Sequence, residues 1–138
     1  MQASADIEYQ EALAKYDASF MSDAKWLRLF QAVISAGLVI DRACWKFIDS
    51  EHSFWQSFPS GRDLMPTRFA DGKFQPFEYK WIESVFIPAR YKPIEGVGYE
   101  KTQDIQAIVA ALESEGKFQV TESEAGITIH AYQRRNFG

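Results

Sequence analysis

The chain predicts a single α+β domain: a mostly antiparallel sheet of four to five strands with its helices packed on one face. Three observations carry that prediction. Helical and strand periodicities mix along the chain without the strict βαβ alternation of a parallel fold. Two short apolar segments near the C-terminus are joined by a turn containing Gly126, the pattern of an antiparallel hairpin. The length of 138 residues suits one domain with one real core, without disulfides or metals. The predicted element order is ααβ–loop–βαββ.

Residues 6–20 read as a first helix, because Tyr9, Leu13, Tyr16 and Phe20 recur on one helical face. Met21 begins a plausible alternative start, so residues 1–20 read as an N-terminal helical extension to a domain spanning 21–138. A second helix follows. Ser22 or Asp23 can cap it, Trp26, Leu27, Phe30, Val33 and Ile34 form its apolar stripe, and Gly37 stops it.

Residues 38–48 alternate as a strand, with Trp45 and Phe47 on one face and Lys46 on the other. Residues 49–76 then carry turn signals at Pro59-Ser60-Gly61, Met65-Pro66 and Asp71-Gly72, and read as a long connection. Connections of that length are usually functional, and the rings Phe54, Trp55, Phe58, Phe69 and Phe74 argue against disorder.

A second strand is predicted over 79–87, with Tyr79, Trp81, Glu83, Val85 and Ile87 on one side. Both of its faces are largely apolar, which predicts a central strand covered on each side. Pro88 ends it. After a Pro- and Gly-rich loop, Ile105, Ile108, Val109 and Leu112 mark a helix over 103–115, capped by Thr102 and closed by Gly116. Residues 118–121 and 127–132 form the hairpin, 122–126 its turn, and 133–138 a polar tail.

Composition narrows the function. Net charge is −4, and residues 45–92 are near neutral while the remainder is strongly acidic. Nucleic-acid binding needs a basic face, so no nucleic-acid partner is expected. No run of about 18 apolar residues predicts a membrane span, and the acidic N-terminus is unlike a secretory signal. The lone Cys44 fits a reducing compartment, and together these point to the cytoplasm.

No chemistry-bearing motif stands out. His52 and His130 lack the spacing of a metal site, and no H-x-E, C-x-x-C or H-x₃-H pattern occurs. No metal, cofactor or catalytic residue is assigned, and an enzyme is disfavoured. Cys44 reads as a half-buried thiol rather than a nucleophile. Gly96 and Gly98 read as turn residues rather than a phosphate loop. Glu83, flanked by apolar residues, should be partly buried with a partner such as Arg42 or Lys46.

The rings are the unusual feature: twelve of the Phe, Tyr and Trp residues fall between Trp45 and Tyr91. Those on strands are explained as core. Those in the loop, with nearby arginines, have the composition of an interface. The preferred reading is a small protein-interaction module that binds through Phe54, Trp55, Phe58, Arg62, Arg68 and Phe69. A bacterial immunity or inhibitor protein for a basic toxin or nuclease is its concrete form, and a homodimer is a variant of the same class. The competing reading is a ligand-binding or enzymatic domain. Its pocket would lie between the sheet and loop 49–76 and use His52, Glu83 and Arg90, with Arg62 and Arg68 also available.

Overall fold

In the computed structural model, residues 2–69, 77–92 and 99–134 are described. Phe74, Gly96 and Gly98 lie outside the described residues, as does the side chain of Phe69. The first helix, α1 (Gln2–Leu13), ends seven residues earlier than its periodicity predicts. The chain turns after Leu13 and enters a strand, β1 (Tyr16–Ser19). β1 pairs antiparallel with the last strand, β11 (Tyr132–Arg134), which runs from the end of the expected hairpin strand into the stretch expected to be a polar tail. Tertiary pairing wins here because Asp and Ser are weak helix formers. Ala12 and Tyr16 are buried members of the main core.

Helix α2 (Asp23–Ser35) follows its sequence signals closely. The Ser22 side chain accepts a hydrogen bond from the backbone N–H of Lys25 at 3.1 Å, and Trp26, Leu29, Phe30, Ala32 and Val33 are buried. Gly37, at φ +73°, takes the left-handed turn that ends it.

The long connection is partly ordered into short elements. Strand β2 (Cys44–Phe47) occupies only the end of the predicted 38–48 strand. Residues 53–55 form β3 (Ser53–Trp55), paired antiparallel with β2. A 3₁₀ turn at Gly61–Asp63 follows, where the Asp63 carboxylate accepts from both the backbone N–H and the hydroxyl of Ser60. Then β4 (Arg68–Phe69) pairs with β5 (Phe77–Glu78).

Tyr79–Trp81 forms a second 3₁₀ turn rather than the start of a strand, and β6 runs over Ile82–Pro88. A small pair, β7 (Arg90–Tyr91) and β8 (Lys101–Thr102), leads to helix α3 (Ile105–Glu115). Thr102 belongs to β8. Asp104 caps α3 instead, accepting from the Ala107 N–H at 3.0 Å. The hairpin turn is tighter than predicted: β9 (Gln119–Ser123) and β10 (Gly126–His130) flank only Glu124 and Ala125.

The main sheet has five strands, all antiparallel, in the order β3–β2–β6–β10–β9. Register fixes which side chains share a face, because alternate residues point to opposite sides. One cross-strand row is Trp45–Val85–Ile129–Val120, continued by Ile87–Ile127. Trp45, Val85, Ile87, Ile127 and Ile129 in these rows are fully buried. Helices α2 and α3 supply Trp26, Leu29, Phe30, Ile108 and Leu112 to the same core, and the Phe30 and Trp45 rings lie 6.1 Å apart. Both helices thus cover one face, as predicted for an α+β domain.

The other face lacks that cover. Its rows are Trp55–Cys44–Phe86–Thr128–Thr121 and Ser53–Lys46–Ser84–His130–Gln119. Every one of these residues is half-buried or exposed. β6 is central, as predicted, but the expectation that both its faces are covered does not hold. Phe86 made that face look apolar, yet Ser84 beside it, and the polar neighbours that register supplies, suit it to water.

Candidate functional site on the open face of the sheet

The open face is shaped by one irregularity. Between β2 and β6, Lys46 faces Ser84 while Phe47 faces Ile82, so Glu83 is the extra residue of a β-bulge. A bulge re-aims the side chain it carries. Strict alternation would put Glu83 with Val85 and Ile87 under the helices. Instead its carboxylate meets Lys46 of the open face and Tyr16 of β1, which corrects the predicted strand geometry.

Glu83 is 6% exposed and is the buried charged residue of the core among the described residues. Burying a carboxylate is tolerated only with partners. Tyr16 donates its hydroxyl hydrogen bond to one oxygen, and the Lys46 ammonium lies 3.6 Å from the other. The predicted partner Lys46 is therefore found. The predicted alternative, Arg42, is held elsewhere, between the rings of Trp55 (5.8 Å) and Tyr91 (5.2 Å). The Lys46 side chain keeps 44% of its surface exposed, against 8% for Glu83.

Around this pair opens a cavity of about 440 Å³. Lys46, Ser84, His130 and Gln119 line it as one unbroken row across four strands. Phe20, Tyr132 and Gln133 line it as well. Phe20 is fixed by its N–H donating to the Ala131 carbonyl at 2.7 Å. His130 shares a 2.9 Å hydrogen bond between Nε2 and the Thr121 hydroxyl, which orients the ring.

Tyr132 is a wall rather than a reactive group. Its hydroxyl donates to the Lys80 carbonyl at 2.6 Å and shares a hydrogen bond with the Tyr9 hydroxyl at 2.9 Å. Burial, reinforced by Tyr9, pushes its phenol well above the ordinary tyrosine range. Burial likewise raises Tyr79 to about 12, and its hydroxyl donates a hydrogen bond to the Met65 carbonyl at 2.7 Å.

The residues singled out from the sequence are dispersed. Phe58 packs into the core, 5.4 Å from Phe30 and 5.2 Å from Trp45. Phe54 and Trp55 stand on the edge strand β3, 47% and 52% exposed. Arg62 is exposed in the 3₁₀ turn and Arg68 is exposed on β4, where the backbone of Phe69 also pairs. For the alternative pocket, His52 is exposed just before β3, and Arg90 makes a 4.0 Å ion pair with Glu100. Neither lines the cavity that contains Glu83. That cavity also lies on the open face, and not under the 49–76 segment.

Lys46, Ser84, Gln119 and His130 were not assembled from sequence. The alternation of β2 does place Lys46 opposite Trp45 and Phe47, but only strand register makes the four a row. Among the described residues, no cluster of His, Cys, Asp and Glu could hold a metal, and no helix is long and apolar enough to cross a membrane. Compared with known protein families, with characterised proteins and with solved structures, the chain shows no significant match.

Proposed function

We propose that the protein is a small protein-interaction module that binds a basic partner protein along the edge strand β3. One observation carries this reading: Phe54 and Trp55 are 47% and 52% exposed on the terminal strand of the sheet. Large apolar residues on an unprotected edge invite pairing with another chain, and proteins usually blunt such edges. An extended segment added to β3 would gain main-chain hydrogen bonds and contact rings on both faces. Trp55 lies on the open face beside Cys44, and Phe54 packs 5.7 Å from Phe47 on the other.

Charge supports a basic partner. The exposed carboxylates Asp49 and Glu51 precede the edge, and the chain carries a net charge of −4. That field speeds encounter with a cationic protein and opposes pairing with a second copy. The bacterial immunity or inhibitor form, acting in the cytoplasm on a basic toxin or nuclease, is the concrete version of this reading. The free thiol of Cys44 suits that compartment.

The test is site-specific photo-crosslinking in the source cell. Benzoylphenylalanine is placed at Phe54, at Trp55 and, as control, at Tyr99, which is 93% exposed. A basic protein captured at positions 54 and 55 but not at 99 is the expected result. Adducts with a second copy of the chain, or identical adducts at all three positions, overturn it.

A further inference from the structure

We propose that the open-face cavity is a binding site for a small organic monocarboxylate with an apolar body, its carboxylate held by Lys46. This site is separate from the β3 edge and does not depend on it. The argument begins with the row Lys46–Ser84–His130, whose neighbours are about 4.8 Å apart by strand spacing. An ammonium, a hydroxyl and an imidazole thus line one side of the same cavity. A carboxylate seated over Ser84 lies within reach of the groups on either side.

The Glu83 pair explains why Lys46 is positioned for this. The ammonium carries three donors, and its contact with Glu83 at 3.6 Å leaves it 44% exposed at the cavity wall. Tyr16 holds the other Glu83 oxygen, so the carboxylate acts as a fixed tether for the lysine. The tether also selects the ligand. Glu83 offsets most of the Lys46 charge, which disfavours a dianion such as phosphate. A cationic ligand would have to displace Lys46 from a carboxylate whose side chain is only 8% exposed.

The cavity's size and walls define the rest. Ligand pockets typically occupy about 300–1,000 Å³, and this one, at about 440 Å³, is too large for acetate alone. Phe20 and Tyr132 also line it, and these aromatic residues supply apolar surface for the ligand body. Monocarboxylates carrying one aromatic ring combine the two requirements.

The probes are phenylacetate, phenylacetamide and phenethylamine, titrated into the full chain and followed by amide NMR shifts. Phenylacetate is expected to give saturable shifts at Lys46, Ser84, Gln119 and His130, with Kd on the order of 1 mM for so small a ligand. Phenylacetamide should bind about tenfold more weakly, as expected for loss of a charge-assisted hydrogen bond. Lys46→Met should weaken phenylacetate about tenfold, while Lys117→Met leaves it unchanged. Because Lys46→Met strips Glu83 of its ion pair, Glu83→Gln provides a second reading: releasing Lys46 from its tether should tighten phenylacetate several-fold. Shifts that do not saturate, phenethylamine binding as tightly as phenylacetate, or Lys46→Met and Glu83→Gln both without effect overturn the proposal.

Discussion

Tyr16 donates its hydroxyl hydrogen bond to the carboxylate of Glu83, 67 residues further along the chain, and both residues are 6% exposed. The contact ties the N-terminal strand to the bulge in the central strand. It also sets the lysine that faces the open-face cavity. Tyr16→Phe removes one hydrogen bond to a buried charged group, so a loss of about 1.5–3 kcal/mol is expected. Urea unfolding of the variant measures it. A change below about 0.5 kcal/mol would show that Glu83 does not depend on Tyr16.

The rings of the 49–76 segment should separate in the same assay. Phe58 contacts Phe30 and Trp45 in the core, so Phe58→Ala should cost about 3–5 kcal/mol. Phe54 is 47% exposed, so Phe54→Ala should cost less than about 1 kcal/mol. Equal losses at the two positions would contradict the division between core and edge.

Gly126 sits at φ +153° against β6, where a Cβ would lie 2.1 Å from the Ile87 carbonyl oxygen. That oxygen is backbone in the middle of a sheet and cannot move aside cheaply. Gly126→Ala should therefore destabilise by more than about 3 kcal/mol, combining strain with a broken β6–β10 register. Gly61 has open space around its Cβ position and an ordinary φ, so Gly61→Ala should stay within about 1 kcal/mol. Thermal unfolding of the two variants checks the contrast.

Alkaline pH should weaken the fold through Tyr79. Its phenol is raised from 10.0 to about 12 by burial, so the folded state holds the proton more tightly than the unfolded chain. The resulting stability is fully present below pH 10 and is lost as pH rises through about 12. Tyr79→Phe should flatten that decline by about 1 kcal/mol between pH 9 and 11, at about 1.4 kcal/mol per pKa unit. Tyr132 shifts in the same direction, so part of the decline should remain. Stability curves at pH 9, 10 and 11, around the ordinary tyrosine range, measure the difference. Identical pH slopes for the two proteins would refute the assignment.

Local signals in the sequence determined the elements that are organised locally. Ser22, the stripe of α2 and Gly37 are all within one turn of the groups they serve, so cap, face and stop could be read directly. The stripe of α3 was equally legible, although Asp104 rather than Thr102 caps it. Trp45 and Phe47 against Lys46 gave the faces of β2, and the apolar setting of Glu83 implied a cationic partner. The α+β class with antiparallel strands followed from the order of these patterns.

Tertiary structure alone decided the rest, because it depends on pairing between distant segments. Residues 16–19 extend the helical period of α1, yet they become a strand because β11 is available to pair with them. The register slip opposite Lys46 turns Glu83 out of the alternation of its own strand. Lys46, Ser84 and His130 are separated by 38 and 46 residues of chain and meet only through β2–β6 and β6–β10 register. A period of two assigns a residue to a face, but it does not say which residues of other strands stand beside it. The covered face was therefore visible in the sequence as apolar alternation, while the open face and its cavity emerged only when five strands were placed side by side.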